Sequence, residues 1–198
     1  IEAQNNKNDR LRSRIEEQTE ELAVARKDIE HRQSLLESRY TMENIVANSE
    51  PMQKVLLMVQ RLSSSTLAVC IQGESGTGKE LIARSLHFNS ERGRGPFVSE
   101  NCGALTENLL ESELFGHVQG AFTGAVSNKK GLLEQASDGT LFLDEIADLD
   151  PRVQAKFLRV LEDGTFQRVG GTATIQTSTR ILAATNRDLA TMVREGHF

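Results

Sequence analysis

Gly73-Glu74-Ser75-Gly76-Thr77-Gly78-Lys79-Glu80 constrains this chain more than any other stretch, because it stands between the apolar run TLAVCIQ and the apolar-periodic stretch LIARSLHF. A strand, a glycine-rich turn and a helix in that order make a phosphate-binding loop. The glycines let the backbone approach an anion, the N–H groups opening the helix at Lys79 face it, and the lysine reaches the β and γ phosphates of a bound nucleotide. A glycine-rich turn with a chance lysine would need neither the strand before it nor the helix after it. In the usual pattern the residue after the lysine is Ser or Thr, whose hydroxyl binds the magnesium ion. Here that residue is Glu80, so the metal must be held from elsewhere.

The run LFLDEI at 141–146 supplies the second half of such a site: four residues of a buried strand ending in acid. Asp144 falls at the strand's C-terminal tip, where open α/β sheets place their ligands. Its carboxylate can hold Mg²⁺ partly through ordered waters, since this ion keeps several waters and takes few protein ligands. Thr77 or a water near Glu80 completes the shell, and the spacing leaves both open. Glu145 is then the candidate to polarise the attacking water for in-line displacement at the γ-phosphate. The bland alternative is that both acids cap a helix or form a salt bridge. RILAATN at 180–186 reads as another strand, whose tip carries Thr185 and Asn186, polar groups able to orient that water.

Apolar runs at 67–72, 96–99, 140–143 and 180–184 alternate with helical patterns at 79–89, 106–115, 151–163 and 187–195. Such alternation predicts an α/β fold with a doubly wound parallel sheet and helices on both faces. NSEPMQKVLLMVQRLSSS reads as a separate helix, with Ser49 as N-cap and Pro51 in its first turn. Asp150-Pro151 opens a further helix, Val153, Phe157, Val160 and Leu161 stripe it, and Gly164 stops it. Residues 1–40 contain no Gly or Pro and are dense in Glu, Arg, Gln and Ala. Ile15, Leu22, Ile29 and Leu36 recur at sevens, while the second seam of Leu11, Gln18, Ala25, Arg32 and Arg39 is only partly apolar. A parallel dimeric signalling coiled coil and a solvated linker helix both fit. We therefore divide the chain into a helical segment 1–40 and a globular domain 41–198.

With 38% hydrophobic and 26% charged residues, the 198-residue chain can bury one substantial core. A net charge of −5 argues against a broadly basic nucleic-acid face. Cys70 and Cys102 lie outside any C-x-x-C spacing and read as small buried side chains, in keeping with a reducing cytoplasm. No run of 18 apolar residues suggests a membrane span. The chain opens at Ile1 without Met and stops at REGHF inside a helical pattern, so a fragment of a longer protein is expected.

Between the helix ENLLESELFG and the segment GLLEQA lies HVQGAFTGAVSNKK, glycine-rich and with Phe122 between small residues. An insertion of this kind in a compact domain is either functional or a mobile surface loop. GESGTGKE, ELFGH, GAFTGA, LFLDEI, FQRVGG and AATN, in this order, resemble the AAA+ ATPase domain of bacterial enhancer-binding proteins, the activators of sigma-54 RNA polymerase. The resemblance covers roughly residues 43–198. It implies that the GAFTGA loop, Gly120, Ala121, Phe122, Thr123, Gly124 and Ala125, contacts sigma-54, with Phe122 and Thr123 at its tip. The family's phosphate loop also ends in Glu, so Glu80 is its own variation and the loop is expected to be active. By the same resemblance Asp144 coordinates magnesium and Glu145 is catalytic. Asn101 holds that Glu in an inactive posture until sigma-54 is engaged, Thr185 and Asn186 form sensor I, and Arg168 matches an Arg of the RVGG segment. The implied activity is ATP hydrolysis with Mg²⁺ in a homo-oligomer, dimer to hexameric ring, which drives the closed promoter complex of the sigma-54 RNA polymerase holoenzyme toward the open one. The family's arginine fingers follow directly after EGHF and its lid and DNA-binding domain lie further on. Weak turnover by this stretch alone, and DNA contact only through that later domain, are the matching expectations. A non-hydrolysing nucleotide-binding scaffold and an ATPase remodelling another target are the rival readings. Retention of Asp144 with Glu145 speaks against the first, and retention of GAFTGA against the second.

Overall fold

Four short apolar runs become four parallel strands, β1 (Val69–Gln72), β2 (Phe97–Asn101), β3 (Thr140–Asp144) and β6 (Arg180–Thr185), laid side by side in the order β1-β6-β3-β2. The computed structural model describes residue 40 and residues 42–198, with residues 18, 19, 27 and 35 before them. The heptad pattern proposed for 1–40 lies almost wholly outside the described residues. The chain divides into the units Ile1–Arg39 and Tyr40–Phe198, and the four strands belong to the second.

The central strand shows how the sequence makes the layers. Leu141 and Leu143 point to one face, where they meet Leu110, Leu114, Phe115, Val153 and Phe157, while Phe142 points to the other and meets Ile82, Leu86 and Leu182. Successive side chains of a strand alternate faces. A strand buried on both therefore has to be apolar throughout, as in parallel sheets clad by helices. Helix α1 (Glu50–Ser63) and helix α2 (Lys79–Phe88) cover the Phe142 face. Helix α3 (Glu107–Phe115), the single turn α4 (Leu132–Gln135) and helix α5 (Pro151–Asp163) cover the other, and α6 (Leu189–Glu195) follows β6. The doubly wound parallel sheet with helices on both faces is the architecture expected from the alternation of patterns.

The end signals act as read at α5: the Asp150 carboxylate accepts from the Arg152 N–H, Pro151 occupies the first turn, and Gly164 ends the helix at φ 65°. Of the expected stripe Val153, Phe157 and Val160 are buried, whereas Leu161 is 48% exposed because it falls to the side of the face that meets the sheet. Ser49 takes the extended N-cap backbone of α1, but its hydroxyl makes no capping bond. Cys102 is buried, whereas Cys70 is exposed and corrects the expectation that both are core residues. The reason is topological: Cys70 lies on β1, the edge strand, where one flank has no partner among the described residues. The alternation of patterns predicts neither strand nor helix at FQRVGG, yet β4 (Thr165–Gln167) and β5 (Thr174–Gln176) pair as an antiparallel hairpin across it. Gly170, at φ 73°, supplies the turn.

At the sheet's amino-terminal end, Arg180 is 2% exposed. Its guanidinium donates to the Leu62 carbonyl at 2.7 Å, Leu86 at 3.4 Å and Ser63 at 3.5 Å. These oxygens end α1 and α2, so one cation adds a partner to carbonyls at two helix ends and meets the negative ends of both dipoles. His87 is buried beside it, with Nδ1 2.8 Å from the Thr140 hydroxyl. Burial, with the charges of Arg180 and Arg84 adding to it and a backbone bond at Gly95 opposing, lowers its pKa from 6.5 to about 4. The fold therefore prefers the neutral ring. The stability this gives is complete above pH 6.5 and is lost as pH falls from 6.5 towards 4, by up to about 3 kcal/mol. Denaturant titrations of the wild type and His87→Gln should differ by about that much less at pH 4 than at pH 7, and a constant difference would show that His87 does not titrate in this way.

Candidate nucleotide site and its loop

The parallel register brings four strand ends together: Gln72 pairs with Thr185 and Asn101 with Asp144. Every residue that follows these tips emerges at the carboxyl edge of one sheet, the place where such sheets bind ligands. The Gly73 N–H continues the ladder to the Thr185 carbonyl at 3.1 Å. The chain then turns through Gly76 at φ 78° and Gly78 at φ 89°, values that a side chain resists. Apart from its chain neighbours no atom lies within 4 Å of where a Cβ of Gly76 would stand, so this side of the turn is open to solvent. Thr77 braces it by donating its hydroxyl to the Glu74 carbonyl at 2.8 Å, and Ser75 is exposed on the same turn.

Lys79, the first residue of α2, is 8% exposed. Its ammonium folds back over the loop and donates to the carbonyls of Gly73 and Glu74, both at 3.1 Å. It also lies 4.0 Å from Glu145 Oε1. Asp144, half-buried at the tip of β3, accepts the Glu145 N–H on Oδ1 at 3.0 Å. Glu145 adopts φ 53°, ψ 49°, a left-handed conformation that costs a non-glycine residue of the order of 1 kcal/mol. Its second carboxylate oxygen accepts the Asn186 N–H at 3.3 Å. Lys79, Asp144 and Asn186 thus all meet at Glu145.

Three expected site residues are engaged otherwise. The Asn101 carboxamide oxygen accepts the Gly103 N–H at 3.0 Å and caps its own turn, while the Glu145 carboxylate meets Lys79 and the Asn186 amide. The Thr185 hydroxyl is buried and accepts the Arg187 N–H at 3.0 Å. Glu80 receives two bonds from Arg84, at 2.7 and 2.9 Å, and the Arg84 guanidinium lies 4.6 Å over the Phe97 ring. That engagement leaves Asp144 as the better metal ligand. Among the described residues no three His, Cys, Asp or Glu side chains cluster as a metal site. The donor set therefore fits an ion that draws most of its shell from phosphate oxygens and water, as Mg²⁺ does.

The GAFTGA segment is a hydrogen-bonded turn rather than a structureless insertion. Its base is a two-way bond between the backbones of His117 and Lys129, and Val118 donates to Val169 of the β4–β5 hairpin. Its tip closes through Gly120 N–H to Ala125 O at 2.9 Å and Ala125 N–H to Phe122 O at 3.0 Å. Gly120 at φ 81° and Gly124 at φ 101° supply the bends. Phe122 and Thr123 are exposed, Phe122 packs edge-on against the His117 ring, and Ala125 is buried beneath them. Ala121 sits so close to Gly170 that a Cβ there would meet it at 2.7 Å. Arg168 grips Glu134 through two bonds of 2.6 and 2.9 Å, which hold the Glu134 carboxyl below its usual range. Sequence reasoning missed Gly170 as a seat for the loop, although its paired glycines were a signal. It also missed Arg187 and Asp148, whose ion pair closes at 2.6 Å.

The model of the sigma-54 interaction domain matches residues 45–198. The chain is 49% identical over 178 residues to the regulatory protein AtoC of Escherichia coli strain K12, covering 90% of this chain and 39% of that protein. It is 54% identical over 158 residues to the Nif-specific regulatory protein of Rhodobacter capsulatus, covering 80% of this chain and 27% of that one. The chain thus spans well under half the length of these relatives. Among solved structures, NtrX from Brucella abortus in complex with ATP superposes with a TM-score of 0.71 at 40% identity, over 78% of this chain and 33% of that one. No described helix is long and apolar enough to cross a membrane.

Proposed function

The chain belongs to the sigma-54 interaction domain family of AAA+ P-loop transcriptional activators, and on that premise we propose that it binds ATP with Mg²⁺ and, in its parent protein, hydrolyses it to move the GAFTGA loop against sigma-54. The observation that carries the reading is the meeting of Lys79 and Glu145, 4.0 Å apart, at the carboxyl edge of the sheet beside the open glycine turn. The ATP complex of the NtrX relative supports the nucleotide.

In this reading, the loop N–H groups from Gly73 to Glu80 bind the phosphates and Lys79 exchanges its two carbonyl partners for β and γ oxygens. Asp144 would hold Mg²⁺, which would supply charge neutralisation to the phosphates. Once Lys79 turns to phosphate, Glu145 is released to orient a water whose oxygen attacks the γ-phosphorus in line. The bond to the β-phosphate bridging oxygen breaks, giving ADP and phosphate, and the water's proton passes to Glu145 or onward to phosphate. Thr185 fixes the turn that presents Asn186, and Asn101 restrains Glu145 in states where its Nδ2 donates to that carboxylate. A neighbour's arginine in a homo-oligomeric ring completes charge stabilisation. The sigma-54 RNA polymerase holoenzyme is the partner, opening of its promoter complex is the work, and the cytoplasm is the place.

The test is steady-state phosphate release and analogue binding on one preparation of the parent protein. Glu145→Gln should bind a non-hydrolysable ATP analogue within about twofold of the parent. Its turnover should fall by the roughly 10² to 10⁴ typical of a lost general base. A parent protein that binds the nucleotide without releasing phosphate would instead make it a regulatory scaffold.

A further inference from the structure

Glu145 is strained, and something must hold it. A residue in a sparsely populated backbone region persists only where its surroundings over-determine it. Its own strand contributes Asp144, and its own turn contributes the Asp148 N–H, which donates to the Glu145 carbonyl at 3.0 Å. Neither reaches the carboxylate. The Asn186 N–H does, from a strand end 41 residues away along the chain. The Thr185 hydroxyl accepts the Arg187 N–H within this turn, but the turn at 186–188 is exposed and that bond does not tie it to the turn of Glu145.

The anchor is next door on both elements. Arg187 Nη2 meets Asp148 Oδ1 at 2.6 Å, tying the turn after β6 to the turn after β3. The other Asp148 oxygen abuts the turn after β2: a Cβ on Gly103 would approach it to 2.8 Å. One carboxylate therefore ties the turn after β3 to the turn after β6 and lies close beside the turn after β2. The pair is half-open to solvent, with side chains 53% and 31% exposed, so it adds little to global stability. Its geometric value is different, because a catalytic group misplaced by about an ångström loses up to about a hundredfold in rate.

Resting on the ATPase reading, we infer that the Arg187–Asp148 ion pair is a positioning clamp for Glu145, holding the Asn186 N–H on its carboxylate. Neither residue touches the nucleotide in this scheme. Both act through Glu145.

The experiment is a double-mutant cycle in the parent protein with Arg187→Gln, Asp148→Asn and both together, read as kcat, analogue affinity and amide exchange of the 185–187 peptide. Each single variant should lower kcat about tenfold to a hundredfold, leave analogue affinity within about twofold, and speed exchange at the Asn186 amide. The double variant should lose no more than either single one, because the two act as a unit. Arg187→Lys, which keeps the charge, should recover part of kcat. Unchanged kcat in Arg187→Gln, or losses that multiply in the double variant, would overturn the clamp while leaving the ATPase reading intact. A parent without turnover would overturn both, and amide exchange would still report whether the pair holds the turn.

Discussion

Lys79→Ala is expected to abolish nucleotide binding, with no saturation by an ATP analogue at concentrations about a hundredfold above the parent's dissociation constant. That means a loss of at least about 2.7 kcal/mol. Among the described residues the lysine is the cation that the site places against Gly73, Glu74 and Glu145, and it is nearly buried there. Removing it leaves the cradle's N–H groups but no charge to meet the phosphates, and leaves Glu145 without its cationic neighbour. Global stability should change little, because the ammonium's other partners are carbonyls at the open rim of the loop. Isothermal titration with the analogue, set beside a denaturant melt, separates the two effects. Binding within about tenfold of the parent would remove Lys79 from the phosphate site.

Thr123→Ala should separate chemistry from work. Thr123 lies at the exposed tip of a turn closed by its own backbone bonds, while the nucleotide residues lie on the sheet's carboxyl edge. Phosphate release should therefore stay within about threefold, since no group of the nucleotide site is touched. Stable binding to sigma-54 in the presence of a hydrolysis transition-state analogue should be lost, and promoter opening with it. Where two sites share one free-energy cycle the coupling is reciprocal in binding. Sigma-54 should accordingly shift nucleotide affinity in the parent and not in the variant. Normal promoter opening by Thr123→Ala would make the turn an ordinary surface insertion and would send the reading back to an ATPase of another target.

Local chemistry in the sequence determined the elements of this protein. The short run TLFL, apolar apart from Thr140 and leading into Asp144, fits a strand buried on both sides, and Asp150-Pro151 with Gly164 marks a helix at both ends because capping and proline geometry are set within a few residues. The phosphate loop was legible for the same reason: Gly76, Gly78 and Lys79 do their work within one turn of chain. Alternation of strands and helices then required a parallel sheet. Strand order, however, is a long-range choice, and it alone decided that β1 lies at the edge and leaves Cys70 exposed. Only the folded register set Asn186 on Glu145, turned Asn101 to its own loop, and closed Arg187 on Asp148. These contacts join turns that are distant in sequence, and nothing in the spacing of the residues records them. Their partners are chosen by the packing of neighbouring strand ends, which the burial of Leu141, Leu143, Ile181 and Leu182 holds in register.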